Sequence, residues 1–103
     1  MSVLLEYAMF PTDKGEAVGK YVSEIIKMIR DSGYPYQLTA MGTIIETDTM
    51  KEALSLIENS YKILEPFSNR VYSSIKIDVR KGQNNRLKSK IETIENQIGK
   101  VNK

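Results

Sequence analysis

The segment SVLLEYAMF, residues 2–10, constrains the fold more than any other part of the chain. Read with a period of two, it sets Val3, Leu5, Tyr7 and Met9 on one face and Leu4, Glu6, Ala8 and Phe10 on the other. Both faces are largely apolar. A strand of that kind needs cover on both sides and belongs at the centre of a sheet. Glu6 is the odd residue on its face, and Pro11 closes the segment.

The rest of the chain alternates helical and extended periods. Asp13 to Gly33 reads as a helix: Asp13 and Glu16 have capping-box spacing, Val18, Val22, Ile25 and Ile29 recur at helical intervals, and Ser32-Gly33 supplies a stop. Tyr34-Pro35 forces an extended entry into the short strand YQLTA. Met41-Gly42 then turns the chain into TIIET, making a β-hairpin. Thr49 and Glu52 form a second capping box for a helix that runs to Pro66 through Ala53, Ile57, Ser60 or Tyr61, and Leu64. RVYSSIKIDVR is a fourth strand, with Val71, Ser73, Ile75, Ile77 and Val79 pointing inward. From Asn84 onward Leu87, Ile91, Ile94 and Ile98 form a narrow apolar stripe on a charged helix, which needs a surface to lie on.

This order predicts an α+β fold: one domain over residues 1–103, a ferredoxin-like βαββαβ sandwich with a four-stranded antiparallel sheet and an extra C-terminal helix. Both early helices fall on one face. Leu4, Ala8 and Phe10 on the other would be bare in a monomer, so that face is expected to stack on a second subunit.

Composition limits the chemistry. The chain has no cysteine and no histidine. That removes thiolate nucleophiles, the usual general base and the commonest transition-metal ligands, and no metal-ligand spacing appears. No apolar run is long enough to suggest a membrane span, and MSVLLEYAMF does not have the form of a secretory signal, so the expected location is the cytoplasm. The net charge of +2 is uneven: residues 1–78 carry 8 Lys/Arg against 11 Asp/Glu, or −3, while residues 79–103 carry 7 against 2, or +5. The tail is either a solvated helix face or a nucleic-acid footprint.

Two groups of residues stand out as binding candidates. The first and fourth strands are expected to be neighbours, which brings Glu6 near Ser74 and Lys76 on the bare face, either as a plain salt bridge or around a small polar ligand. At the hairpin, Thr39, Thr43 and Glu46 offer hydroxyls and a carboxylate, Gly42 permits close approach, and Met41 can wall a flat ring. Thr43 and Glu46 fall on opposite faces of a regular strand. Tyr34, Tyr36 and Tyr72 could stack on a ring as well. Glu6 and Glu46 could in principle form an acid/base pair, but no activated nucleophile accompanies them.

The segment YPYQLTAMGTIIET (34–47) resembles the Y-x-L-T-P-M-G-T-x-I-E motif of the small MTH1187/YkoF-like thiamine-binding proteins. LLEYAMFP (4–11), GKYVSEIIKMIRDSG (19–33) and RVYSSIKIDVRKG (70–82) are similar to other segments of that family, so the likeness covers nearly the whole chain. Ala40 and Thr47 depart from the proline and glycine usual at those places. The resemblance implies a homo-oligomer, a dimer of dimers. It also implies non-catalytic binding of thiamine or its hydroxymethylpyrimidine part, with no cofactor beyond that ligand. Position by position it points to Glu6, Thr39, Met41, Gly42, Thr43, Glu46 and Ser74 as the lining, with Lys76 beside Glu6. The competing readings are a nucleic-acid-binding or assembly module using the basic C-terminal helix, and a small-molecule enzyme.

Overall fold

The computed structural model describes residues 1–16 and 18–103. The elements follow the order β1 (Ser2–Pro11), α1 (Gly19–Ser32), β2 (Tyr36–Leu38), β3 (Thr43–Thr47), α2 (Met50–Leu64), β4 (Val71–Arg80) and α3 (Arg86–Ile98). The four strands form one antiparallel sheet in the order β2-β3-β1-β4, which is the ferredoxin-like arrangement with a third helix added.

β1 is central, as its two-sided apolar pattern requires. Its odd residues Val3, Leu5, Tyr7 and Met9 are buried against α1 and α2, with Ile25, Ile29, Ile45, Leu56 and Leu64 completing the core. Fully burying each such aliphatic side chain is worth about 1.5–3 kcal/mol, so this layer is the main driving force for the fold. Inside it the Ser60 hydroxyl donates to the Leu56 carbonyl at 2.7 Å. The proton of the buried Tyr7–Ser60 contact at 2.5 Å therefore comes from tyrosine. Burial raises the Tyr7 pKa, and the Ser60 contact offsets this in part.

The second capping box forms as expected: Thr49 accepts from the Glu52 amide while the Glu52 carboxylate accepts from the Thr49 amide. The first does not. α1 starts at Gly19 after Val18, with no side-chain cap, and Gly15 is in the left-handed region at φ 63°. Asp13 instead accepts from the Ser68 hydroxyl at 2.6 Å and the Asn69 amide at 2.8 Å, tying the loop after β1 to the loop before β4. A distant pair of donors outcompetes the local helix start. Ala17 lies outside the described residues.

Two further expectations need correction. Ile75, Ile77 and Val79 stand in register with Tyr7, Leu5 and Val3 and so share the helix-covered face, yet they remain 36–43% exposed. α1 and α2 sit over β1 and β3 and leave this edge uncovered. The opposite face is not bare: Leu4, Ala8 and Phe10 are half-buried, with α3 lying across the end near Leu4 and Ile44 and Tyr72 packed on Phe10 at the other.

α3 is fixed there by polar contacts. The Glu46 carboxylate accepts from the Arg86 amide at 2.9 Å, the Leu87 amide at 3.0 Å and the Ser2 hydroxyl at 2.5 Å. It caps the helix start, where free amides and the helix dipole favour an anion. The buried Arg86 guanidinium donates to the Ser2 and Asp78 carbonyls, the Ser2 hydroxyl and the Asp78 carboxylate. Burial alone would raise the Glu46 pKa, but the Ser2, Leu87 and Arg86 donors outweigh it and hold the carboxyl below its ordinary value of 4.5.

Candidate functional site

Unequal strand lengths open a notch in the sheet. β1 pairs with β4 as far as Pro11 and Val71, but its last rung with β3 is Tyr7 opposite Thr43. Beyond that rung the hairpin turn swings away. A cavity of about 270 Å³ fills the space between the end of β1 (Ala8, Met9, Phe10), the apolar stripe of α1 (Val22, Ile25, Ile26, Ile29) and the hairpin (Leu38 to Thr43).

The hairpin is braced from inside. The Thr39 hydroxyl donates to the Gly42 carbonyl at 2.8 Å and accepts from the Met41 and Gly42 amides, both at 3.2 Å. Gly42 lies against β1 so closely that a Cβ there would sit 3.2 Å from the Tyr7 carbonyl oxygen. Met41, 89% exposed, stands at the rim of the cavity.

Two polar features face this otherwise apolar space. Thr43 is only 3% exposed, and its hydroxyl has no partner among the described residues. The hydroxyl itself is not sealed off: no buried side-chain oxygen lacks a partner among the described residues, so this one opens onto the cavity. The second is backbone. Along β1 the Tyr7 carbonyl faces Gly42, while the Ala8 carbonyl takes the Ser73 hydroxyl on the β4 side. By strand alternation the Met9 N–H and C=O face the side that β3 has vacated, with no backbone partner among the described residues.

Of the expected site residues, the structure brings together Thr39, Met41, Gly42 and Thr43. Glu6, Ser74 and Lys76 lie on the opposite face of the sheet, where Glu6 and Lys76 form an exposed ion pair at 3.8 Å. Such a pair contributes little. Glu46 is at the far end, committed to α3, and the Thr39 hydroxyl is consumed by the turn. Neither is free to bind a ligand as expected from sequence. Sequence reasoning missed the α1 wall and the Met9 backbone. The wall could have been found from Val22 and Ile26, which widen the α1 stripe past the buried Ile25 and Ile29; the backbone pair depends on where β3 stops.

A larger groove, about 690 Å³, runs between β2 and α3; in it Glu95 holds Lys103 at 2.8 Å, while Lys88 and Glu92 make no ion pair among the described residues. No group of three or more acidic side chains that could hold a metal occurs among the described residues.

The family model for thiamine-binding proteins matches residues 5–95. The chain belongs to that family. It is 37% identical over 98 residues to a UPF0045 protein of Mycobacterium bovis, covering 95% of this chain and 96% of that one. A UPF0045 protein of Methanocaldococcus jannaschii is 33% identical over 92 residues, covering 89% and 91%. The latter's crystal structure superimposes with a TM-score of 0.78 over 90% of this chain and 95% of that one. A candidate thiamine biosynthesis/salvage protein of Thermotoga maritima, 18% identical, shares the fold with a TM-score of 0.78 over 91% and 99%.

Proposed function

We propose that this protein binds thiamine through its aminopyrimidine ring, or the free hydroxymethylpyrimidine, in the notch beside β1, without catalysing a reaction on it. The observation that carries the reading is the unpartnered Thr43 hydroxyl in an apolar cavity of a thiamine-binding family member. At about 270 Å³ the cavity falls just below the roughly 300–1,000 Å³ of pockets for drug-sized ligands, so it suits one ring. An aminopyrimidine presents an acceptor nitrogen beside an amino donor. The Met9 N–H and C=O offer the complementary pair from one residue, and Thr43 supplies a third contact. The α1 stripe and Met41 cover the ring faces.

No charged side chain lines the notch, so the ring it holds is neutral and a thiazolium would project outward. Of the carboxylates expected beside a cation, Glu6 faces the other side of the sheet and Glu46 is held by α3. The basic-tail alternative loses two of its cations to internal contacts, Arg86 and Lys103. In this reading the protein works in the cytoplasm; no described helix is long and apolar enough to cross a membrane.

A homo-oligomer, a dimer of dimers, is part of the proposal. β4 is a ten-residue edge strand that carries the exposed Ile75, Ile77 and Val79. Exposed edges of that length invite pairing with another chain. Light scattering giving the mass of one chain would remove this part.

The test is calorimetry of the protein against thiamine and hydroxymethylpyrimidine, repeated on Thr43→Val. Micromolar binding is expected for the wild type. Losing the hydroxyl contact should weaken it about tenfold while the melting temperature holds, because no internal bond is broken. Flat wild-type titrations would refute the ligand class, and unchanged binding by the variant would refute the Thr43 contact.

A further inference from the structure

The notch does not end at its α1 wall. Val22, Ile26 and Leu38 line it on one side and, on the other, line a second groove of about 500 Å³ that runs along α1 past Lys27, Arg30 and Tyr36. The two spaces differ in character. The notch has no charged lining residue; the groove has two cations and no acidic one. Lys27 has no ion-pair partner among the described residues. Arg30 touches only its neighbour Asp31, at 3.4 Å with both side chains 61% exposed, a contact too weak to keep the guanidinium from a better anion.

We propose that the preferred ligand is a phosphate ester of a small heteroaromatic alcohol, its ring in the notch and its phosphate in the groove at Lys27 and Arg30. This rests on the ring-binding reading above. An ester oxygen on a methylene arm lets the phosphate cross the rim formed by three side chains. Arginine receives phosphate in a two-pronged geometry and lysine adds a point charge, both stronger contacts than neutral hydrogen bonds. The Tyr36 ring borders the same groove.

The experiment compares hydroxymethylpyrimidine, its phosphate monoester and inorganic phosphate by calorimetry on the full chain and on the Lys27→Gln/Arg30→Gln double variant. Both positions are exposed, so the variant should fold, which circular dichroism checks. The ester is expected to bind at least about tenfold tighter than the alcohol, a margin that shrinks as salt rises. In the double variant the ester should fall to the affinity of the alcohol on that same protein. Equal binding of ester and alcohol by the wild type, or a margin that survives the double substitution, overturns the phosphate subsite and leaves the ring reading standing. Inorganic phosphate binding as tightly as the ester overturns the two-part ligand. If neither ester nor alcohol binds, the ring reading falls and the subsite with it.

Discussion

Glu46→Gln should cost the protein more stability than its near-identical shape suggests. The carboxylate accepts three hydrogen bonds, from Ser2, Arg86 and Leu87, through two oxygens. A glutamine has one acceptor oxygen. Whichever way its amide is turned, an NH2 faces at least one α3 amide, donor against donor. Leaving a buried donor unsatisfied costs about 1–3 kcal/mol, and neutralising an anion at a helix start adds about 0.3–1 kcal/mol. The sum is about 1.3–4 kcal/mol, or roughly 5–20 °C in melting temperature for a domain of this size. The assay is thermal melting by circular dichroism at neutral and acid pH. Because the folded Glu46 pKa lies below 4.5, its contribution is complete above that pH and fades as pH falls through the lower folded value. Hydrogen bonds also hold Asp13, Glu52 and Glu95 low, so acid weakens both proteins. The informative quantity is the gap between wild type and variant, which should close in acid. Melting temperatures within about 2 °C of each other at neutral pH would refute the capping argument.

Thr39→Val should lower stability by about 1–2 kcal/mol in urea titrations, because the turn loses its side-chain brace, and Thr39→Ser should recover most of it. Equal midpoints for valine and serine would contradict that role. Gly42→Ala should cost about 1 kcal/mol or more and weaken ligand binding, since its new methyl meets backbone atoms of Tyr7 that cannot rotate away. Wild-type binding by this variant would show that the hairpin can shift freely. Tyr7→Phe should cost about 1 kcal/mol by denaturant unfolding, because Ser60 keeps its own bond to Leu56 and only the tyrosine donor is lost. A much larger loss would mean the hydroxyl does more than this one bond.

The parts of the fold written in short-range pattern were legible in the sequence. The two-sided strand around Leu5, the Thr49–Glu52 cap and the hairpin across Met41-Gly42 depend on neighbours within a few positions. What was not legible depends on partners far along the chain. Asp13 left its helix for Ser68 and Asn69, 55 and 56 residues away. Glu46 looked like a ligand group because its two α3 partners lie 40 and 41 residues downstream. Periodicity assigned Ile75 and Ile77 to the correct face, but it cannot say how far two helices reach across that face. The hairpin residues picked out from sequence, Thr39, Met41, Gly42 and Thr43, all line the notch. Which hydroxyl was free followed only from hydrogen bonds: Thr39 is saturated, while the Thr43 hydroxyl makes none among the described residues and opens onto the cavity.

In the proposed reading, the mismatch between a ten-residue β1 and a five-residue β3 is what lets a chain without histidine or cysteine recognise a ring. In a sheet of equal strands every backbone amide of β1 would be consumed by a neighbour, and specificity would have to come from side chains. Here β3 stops at Thr43, and Gly42 lets the turn close against Tyr7 before departing. β4 keeps the end of β1 extended, so the unpaired Met9 amide and carbonyl are held in fixed geometry rather than on a mobile loop. Preformed donors and acceptors bind with less ordering cost than groups that must first be arranged. Extending β3 by two paired residues, through an insertion that moves the turn, should therefore fill the notch and abolish binding even with Thr43 and the α1 wall unchanged.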